Sequence, residues 1–242
     1  MDTFTYTTTC NYSDLSPNGT LSNVGFLKMF QEAASCHSAF IGYGPTDSPK
    51  TNCVWIILSW KLKVFSRPEW NTKLEIKTWA NIYADTFSYR DFEIYDESHN
   101  LLAIASSKWV IVDYITRHIS KIPKEVSDKF NSSNKPVFGD KVNIKLKEPV
   151  NLANSFDYTV LRRDLDTNIH VNNLNYLRFA EEALPEDIYN KFEINNVEIM
   201  YKTEAKLNNT LSLNYSLTND FEHIVSIKTG NTLNAIIKMW VD

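Results

Sequence analysis

The sequence predicts an α+β protein made of two tandem copies of one unit, each a long helix followed by a run of antiparallel strands. Two observations carry this. Residues 14–33 recur at 164–183 without a gap, with identities at Asp14/Asp164, Leu15/Leu165, Asn18/Asn168, Asn23/Asn173, Leu27/Leu177, Glu32/Glu182 and Ala33/Ala183. Ordinary residue frequencies give about one match over such a span. The pairs Leu21/Val171, Val24/Leu174, Phe26/Tyr176 and Lys28/Arg178 extend the likeness. In both halves, moreover, an apolar pattern of helical period is succeeded by segments that alternate.

The elements follow in order. Residues 4–9, an alternating Thr/Tyr/Phe segment, read as a strand. From Leu21 to Gly42 the residues Leu21, Val24, Leu27, Phe30, Ala34, His37 and Ile41 recur every three or four positions, which is one buried stripe of a long helix. Gly42 and Gly44-Pro45 end it. Residues 54–119 then read as strands, with alternation at 73–78 and 89–95 and a turn at Asp96-Glu-Ser-His-Asn100. Residues 121–154 carry Pro123, Pro136, Pro149, Gly139, an Asn-Ser-Ser-Asn tract and many lysines, and read as a connection with a short helix near 124–130. A strand restarts at Phe156, a helix follows over 171–184 and stops at Pro185, and strands return at 211–217 and 235–241. The expected division is therefore a first domain at 1–122, a linker at 123–154 and a second domain at 155–242.

Composition narrows the class. The 242 residues are long enough for two cores, and 43% hydrophobic with 22% charged residues is ordinary for a soluble globular chain. A net charge of −4 does not point to nucleic acid, whose electrostatic footprint is basic. The longest aliphatic and aromatic run, Val54 to Leu58, is far short of a membrane span. Met1-Asp-Thr-Phe-Thr5 lacks the basic start and apolar core of a signal peptide. Cys10, Cys36 and Cys53 are odd in number and without metal-type spacing, as expected of free thiols in a reducing cytoplasm.

The chemistry candidates emerge from comparing the two copies. Asp166, Asn168 and His170 place a carboxylate, a carboxamide and an imidazole at i, i+2 and i+4 where a loop enters a helix. Singly, such residues before a helix are caps or turn formers. The first copy, however, has Ser16 and Thr20 where the second has Asp166 and His170, while Asn18 matches Asn168. A structural role common to both halves predicts the same residues in both, which fits Asn18 and Asn168 but not Asp166 and His170. Asn173 faces Asn23 and is better explained by helix-start geometry.

At these residues the chain resembles a known family. Asp164-Leu-Asp-Thr-Asn-Ile-His-Val-Asn-Asn-Leu-Asn-Tyr176 is similar to the second-domain signature of acyl-acyl carrier protein thioesterases. Phe30-Gln-Glu-Ala-Ala-Ser-Cys-His37, Trp55-Ile-Ile-Leu58, Thr78-Trp79 and Ser88-Tyr-Arg-Asp-Phe92 match the first half in the right order. The resemblance implies two tandem hot-dog domains, each a long helix wrapped by an antiparallel sheet. It also implies hydrolysis of fatty acyl thioesters of acyl carrier protein to free fatty acid, with Asp166, Asn168 and His170 catalytic. They are joined by a carboxylate on a later strand, Glu204 within Val197-Glu-Ile-Met-Tyr-Lys-Thr-Glu-Ala-Lys206. Glu204 rests on the resemblance alone, because alternation groups it with Glu198, Met200, Lys202 and Lys206, which reads as a solvated face. Aligning Asn71-Thr-Lys-Leu74 with Asn208-Asn-Thr-Leu211 makes Arg67 its counterpart.

Thioester hydrolysis needs an activated water, donors for the carbonyl oxygen and a proton for the departing thiol. The implied roles are water activation by Glu204 or Asp166, proton transfer by His170 and positioning by the Asn168 amide. Backbone N–H groups at the start of the second helix are candidate oxyanion donors. Some family members carry Cys beside the Glu; this chain has Ala205 there, and all three cysteines lie in the half without Asp166 and His170, so a thiol nucleophile is not expected. No metal or organic cofactor is implied.

Phe26, Phe30, Phe40, Trp55, Trp60, Trp79 and Phe92 are candidates for an acyl tunnel in the first half, against the ordinary alternative of core. Lys61, Lys63, Arg67, Arg162, Arg163, Lys202 and Lys206 are candidates for the landing site of an acidic carrier protein. Nucleic acid and membrane are not expected partners, and a monomer suffices, with a homodimer compatible. The alternatives are an acyl-CoA thioesterase and a non-catalytic acyl-binding module.

Overall fold

The computed structural model describes residues 3–83, 85–130 and 132–242. The first two residues of the segment read against a signal peptide, and Asn131 at the head of the Asn-Ser-Ser-Asn tract, lie outside the described residues. The chain divides into two compact units, Met1–Asn143 and Ile144–Asp242.

The first unit opens with β1 (Phe4–Thr9) and a single 3-10 turn at Tyr12–Asp14 that delivers the chain to α1 (Asn23–Phe40). Ser22 caps α1, its side chain accepting from the Gly25 amide, one of the helix-start donors that has no partner within the helix. Val24, Phe26, Leu27, Phe30, Ala33, Ala34 and His37 are buried, which is the stripe expected from the apolar spacing. The short α2 (Ser48–Thr51) follows, then β2 (Cys53–Val64), β3 (Lys73–Tyr83), β4 (Phe87–Tyr95), β5 (Leu101–Asp113) and the two-residue β6 (Ile119–Ser120). The turn at 96–100 is built by Asp96, whose Oδ1 accepts from the Ser98 and Asn100 amides. The strands pair antiparallel in the order β1-β3-β4-β5-β2, with β6 on β5. α3 (Lys124–Phe130) belongs to this unit, and its Val126 and Phe130 are buried with Ala80, Ile111 and Ile122. The core is mainly aliphatic with an aromatic cluster within it. Phe92 lies 5.1 Å from Phe30 and 5.3 Å from Trp60, ring centre to ring centre, and all three are fully buried.

The second unit repeats the plan: β7 (Asn154–Thr159), a 3-10 turn at Arg162–Asp164, α4 (Asn173–Glu182), α5 (Glu186–Tyr189), β8 (Asn196–Tyr201), β9 (Thr210–Leu217), β10 (His223–Thr229) and β11 (Thr232–Trp240). Its order is β7-β9-β10-β11-β8, all antiparallel, the counterpart of the first sheet strand for strand. α4 is shorter than the spacing over 171–184 suggests. Asn172 already caps it through the Leu174 amide, and Pro185, held in an extended conformation, cannot continue it. Tyr176, Leu177, Phe179 and Ala180 are its buried face.

The buried carboxylate shared by the repeats explains one part of the sequence likeness. Asp164 Oδ2 accepts from the Leu161 amide at 2.7 Å and from the Tyr158 hydroxyl at 2.8 Å, while Asp14 Oδ1 takes Lys28 Nζ at 2.6 Å. In each copy the aspartate's main-chain carbonyl accepts the amide of the helix cap, Ser22 or Asn172. This aspartate is therefore structural in both halves.

Candidate functional site

The loop between the 3-10 turn and α4 in the second unit folds back on itself. Leu165 and Val171 form an antiparallel bridge, the Asp166 amide donates to the His170 carbonyl at 2.8 Å, and Ile169 N–H returns to the Asp166 carbonyl at 3.1 Å. The Asp166 side chain closes the turn, with Oδ1 accepting the Asn168 amide at 2.8 Å and the His170 amide at 3.2 Å. Asp166 is thus the local organiser of the loop that presents His170.

His170 is then held against the segment after β8. It bridges Lys206 in antiparallel fashion, and the Val171 amide donates to the Ala205 carbonyl at 2.9 Å. This register brings Glu204 Oε2 within 3.2 Å of His170 Nδ1, with the carboxylate about half exposed and the imidazole about a quarter. Nδ1 is itself shielded from solvent and makes no hydrogen bond among the described residues, so the contact is a close approach of the two groups rather than a formed bond. The expectation that Glu204 sits on a strand is corrected here. β8 ends at Tyr201, because the Lys202 and Thr203 amides turn to the Asn234 carbonyl, and Glu204 is in the loop that follows.

The first unit shows the same loop with different chemistry. Ser16 N–H donates to the Thr20 carbonyl at 2.8 Å, Leu15 bridges Leu21, Thr20 bridges Glu69, and the Leu21 amide donates to the Pro68 carbonyl at 2.9 Å. The bridge positions make Arg67 the counterpart of Glu204, in the register given by the Asn71 and Asn208 segments. Arg67 turns to the helix start, donating to the Leu21 carbonyl and to Asn23 Oδ1, each at 2.8 Å. It is therefore committed within the unit and is not an open landing charge for a carrier protein.

The two asparagines also part company. Asn18 Oδ1 accepts from the Thr20 amide at 3.2 Å and the Thr20 hydroxyl at 3.0 Å, so it does for the first loop what Asp166 does for the second. With Asp166 in that role, none of the hydrogen bonds within the second loop, among the described residues, uses the exposed Asn168 side chain. A shared structural role for Asn18 and Asn168 is thus not what the loops display.

The helix start offers fewer oxyanion donors than its sequence position suggests. The amides of Val171, Asn172 and Leu174 donate to the Ala205 carbonyl, the Asp164 carbonyl and Asn172 Oδ1.

Ile169 carries backbone strain between the candidate residues. Its φ of 64° lies in the left-handed region, and its side chain is 70% exposed, while the first copy has Gly19 at φ 85°. A β-branched residue there is held against its preference. Ile169→Gly is expected to stabilise the protein by about 1 kcal/mol, read as a higher denaturant midpoint.

One residue near the site was not foreseen. Tyr176 on α4 is 2% exposed, and its hydroxyl accepts the Ala205 amide at 3.0 Å. Its pKa is pushed up to about 12, chiefly by burial, with the charges of Glu204 and Asp166 adding to the rise and the Ala205 N–H opposing it. The signal lies in the repeat comparison, where Phe26 stands in its place and the pair differs only by the hydroxyl.

Of the aromatic candidates, Phe26, Phe30, Trp60 and Phe92 are fully buried and pack on one another, whereas Phe40 is 65% exposed. The cysteines are free, and burial raises all three thiols, Cys10 to about 11. Thiolate supply is thereby suppressed. Cys36→Ala and Cys53→Ala are expected to keep full activity; loss of turnover without unfolding would restore a thiol mechanism. Among the described residues, no group of three His, Cys, Asp or Glu side chains is disposed to hold a metal, and no helix is long and apolar enough to cross a membrane.

A helix-plus-sheet unit repeated in tandem, with an Asp-organised loop presenting a histidine to a glutamate in the second copy alone, is a double hot-dog architecture. The chain belongs to the acyl-ACP thioesterase family: residues 2–130 match the acyl-ACP thioesterase N-terminal domain and residues 147–242 the C-terminal domain. Among curated relatives, the chloroplastic dodecanoyl-[acyl-carrier-protein] hydrolase of Cinnamomum camphora is 28% identical over 214 residues, covering 82% of this chain and 55% of that protein. The chloroplastic oleoyl-acyl carrier protein thioesterase 2 of Arabidopsis thaliana is 27% identical over 195 residues, covering 74% and 53%. The chain thus spans about half the length of the curated relatives it matches. The fold is shared with an acyl-ACP thioesterase from Bacteroides thetaiotaomicron (TM-score 0.86, 19% identity, 98% of this chain and 97% of the other). It is shared also with a 12:0-ACP thioesterase from Umbellularia californica (TM-score 0.82, 22% identity, 98% and 96%).

Proposed function

We propose that this chain hydrolyses fatty acyl thioesters of acyl carrier protein, releasing free fatty acid and the carrier thiol. The observation that carries the reading is the 3.2 Å approach of Glu204 to His170, on a loop shaped by Asp166, in the copy that differs from its sister at these positions. Family membership and the relatives' names support the substrate class.

In the proposed reaction Glu204 orients water, whose oxygen adds to the thioester carbonyl carbon as its proton passes to the Glu204–His170 pair. The C–S bond then breaks, and His170 returns the proton to the departing sulfur. Asp166 has its Oδ1 engaged by two amides and serves chiefly to shape the loop, which leaves Glu204 as the favoured water-activating carboxylate. Asn168, whose exposed side chain takes no part in the hydrogen bonds of the loop, is assigned to contact the thioester. The domain roles implied by the family are acyl-chain binding by the first domain, expected at 1–122, and chemistry by the second, expected at 155–242, with α3 of the intervening 123–154 packed into the first unit. Arg162, Arg163, Lys202 and Lys206 are exposed and supply positive charge on the unit that bears His170, fitting an acidic carrier. Free thiols fit a reducing, cytoplasmic setting.

The test is thiol release from matched acyl chains on acyl carrier protein and on coenzyme A, with His170→Ala beside the native chain. Faster, His170-dependent release from the carrier protein is expected. Preference for coenzyme A would keep the chemistry and change the partner. Acyl binding without release from either would make the protein a binding module.

A further inference from the structure

Resting on that functional reading, we infer that Tyr176 is a positioning residue for Glu204, its hydroxyl clamping the Glu204–Ala205 peptide so that the carboxylate meets His170. The comparison between the repeats carries the inference. In the second unit the Ala205 amide, buried with its residue at 0% exposure, donates to the Tyr176 hydroxyl at 3.0 Å, while the Ala205 carbonyl accepts from Val171 at 2.9 Å. The residue that follows Glu204 is therefore gripped at both its amide and its carbonyl, by α4 and by the loop that presents His170.

In the first unit both partners of this hydrogen bond are missing together. Phe26 has no hydroxyl, and Pro68, the counterpart of Ala205, has no N–H to offer it. The carbonyl contact survives there, from Leu21 to Pro68 at 2.9 Å, so the backbone path is the same. What differs is the side chain one residue earlier. Arg67 turns to the Leu21 carbonyl and Asn23, and its guanidinium lies 5.9 Å from the centre of the Phe26 ring. A generic need to satisfy the backbone is met in the first copy by deleting the amide. The second copy keeps the amide and buries a hydroxyl to meet it, at the peptide joined to the residue that approaches the histidine. The surroundings fit this role. The Tyr176 ring packs edge-on against Tyr201, 5.8 Å away, and Tyr201 donates to the Asn173 carbonyl at 2.9 Å, so the end of β8 is also tied to the start of α4.

The experiment is a double-mutant cycle of Tyr176→Phe and Glu204→Gln in the full chain, assayed by steady-state thiol release. Tyr176→Phe is expected to lower kcat about ten- to a hundred-fold with KM changed by less than about threefold, the scale of a misplaced catalytic group. In the Glu204→Gln background the same change should cost less than about threefold, because the group it positions is already gone. Tyr215→Phe, which removes another buried tyrosine hydroxyl contact of this unit, at 2.9 Å to His223 Nδ1, should lower the melting temperature and leave kcat unchanged. Should Tyr176→Phe fail to fold, Tyr176→Phe with Ala205→Pro reproduces the pair of the first copy without an orphaned amide, and kcat is expected to stay low. Native kcat in either folded variant, or equal effects of Tyr176→Phe in both backgrounds, would overturn the inference. Absence of His170-dependent release by the native chain would instead overturn the functional reading beneath it.

Discussion

His170→Ala and Asp166→Ala are expected to lower thiol release by about 10²- to 10⁴-fold, while Ser16→Ala and Thr20→Ala leave it within about twofold. The contrast follows from the two loops having one backbone plan and two chemistries. His170 supplies the imidazole that faces Glu204, so its removal takes away the proton carrier of the proposed reaction. Asp166→Ala acts differently, by removing the acceptor that fixes the Asn168 and His170 amides. Asp166→Asn separates the two contributions, since it keeps an acceptor oxygen and removes the charge. Recovery in Asp166→Asn makes Asp166 a loop former; a fall as deep as in Asp166→Ala makes its charge part of the reaction. In the first copy the loop is closed by Asn18, so losing the Ser16 hydroxyl or the Thr20 side chain disturbs only local bonds. Equal losses in both halves would remove the assignment of chemistry to the second.

Phe92→Ala is expected to destabilise the first unit by about 3–5 kcal/mol, and Phe40→Ala by less than about 1 kcal/mol. Phe92 is fully buried between Phe30 and Trp60, neither of which can relax into the space without leaving its own contacts. Phe40 ends α1 at 65% exposure and meets Phe4 only at 6.0 Å between ring centres. Denaturant midpoints of the two variants check this. Comparable losses would mean that Phe40 is buried by something the isolated chain lacks.

Much of the fold was legible because burial writes a period into the chain. The stripe from Val24 to His37 marks a helix lying on a sheet, and the alternation at 73–78 and 89–95 marks strands with one face inward. The ends of elements were harder. Residues 171–184 keep a helical apolar spacing, yet Asn172 caps at the Leu174 amide and the helix occupies only Asn173–Glu182. The aromatic residues of the first half could be sorted by type but not by depth, so Phe40 and Phe92 looked alike.

The candidate site divides the same way. Sequence by itself determined the duplication, the family and the loop bearing Asp166, Asn168 and His170, because these depend on residues adjacent in the chain. It also determined that Asp166 and His170 are peculiar to one copy. Tertiary structure decided that Glu204, some thirty residues farther on, lies after a strand rather than on it and approaches His170. It decided that Asn18 and Asp166 exchange the task of closing the loop, and that Arg67 is committed to Leu21 and Asn23. It decided, too, that the Tyr176 hydroxyl reaches the Ala205 amide. The physical reason is that these pairings are set by strand register and by which hydrogen-bond partners remain unsatisfied after folding. Neither quantity has a period that a linear pattern can carry.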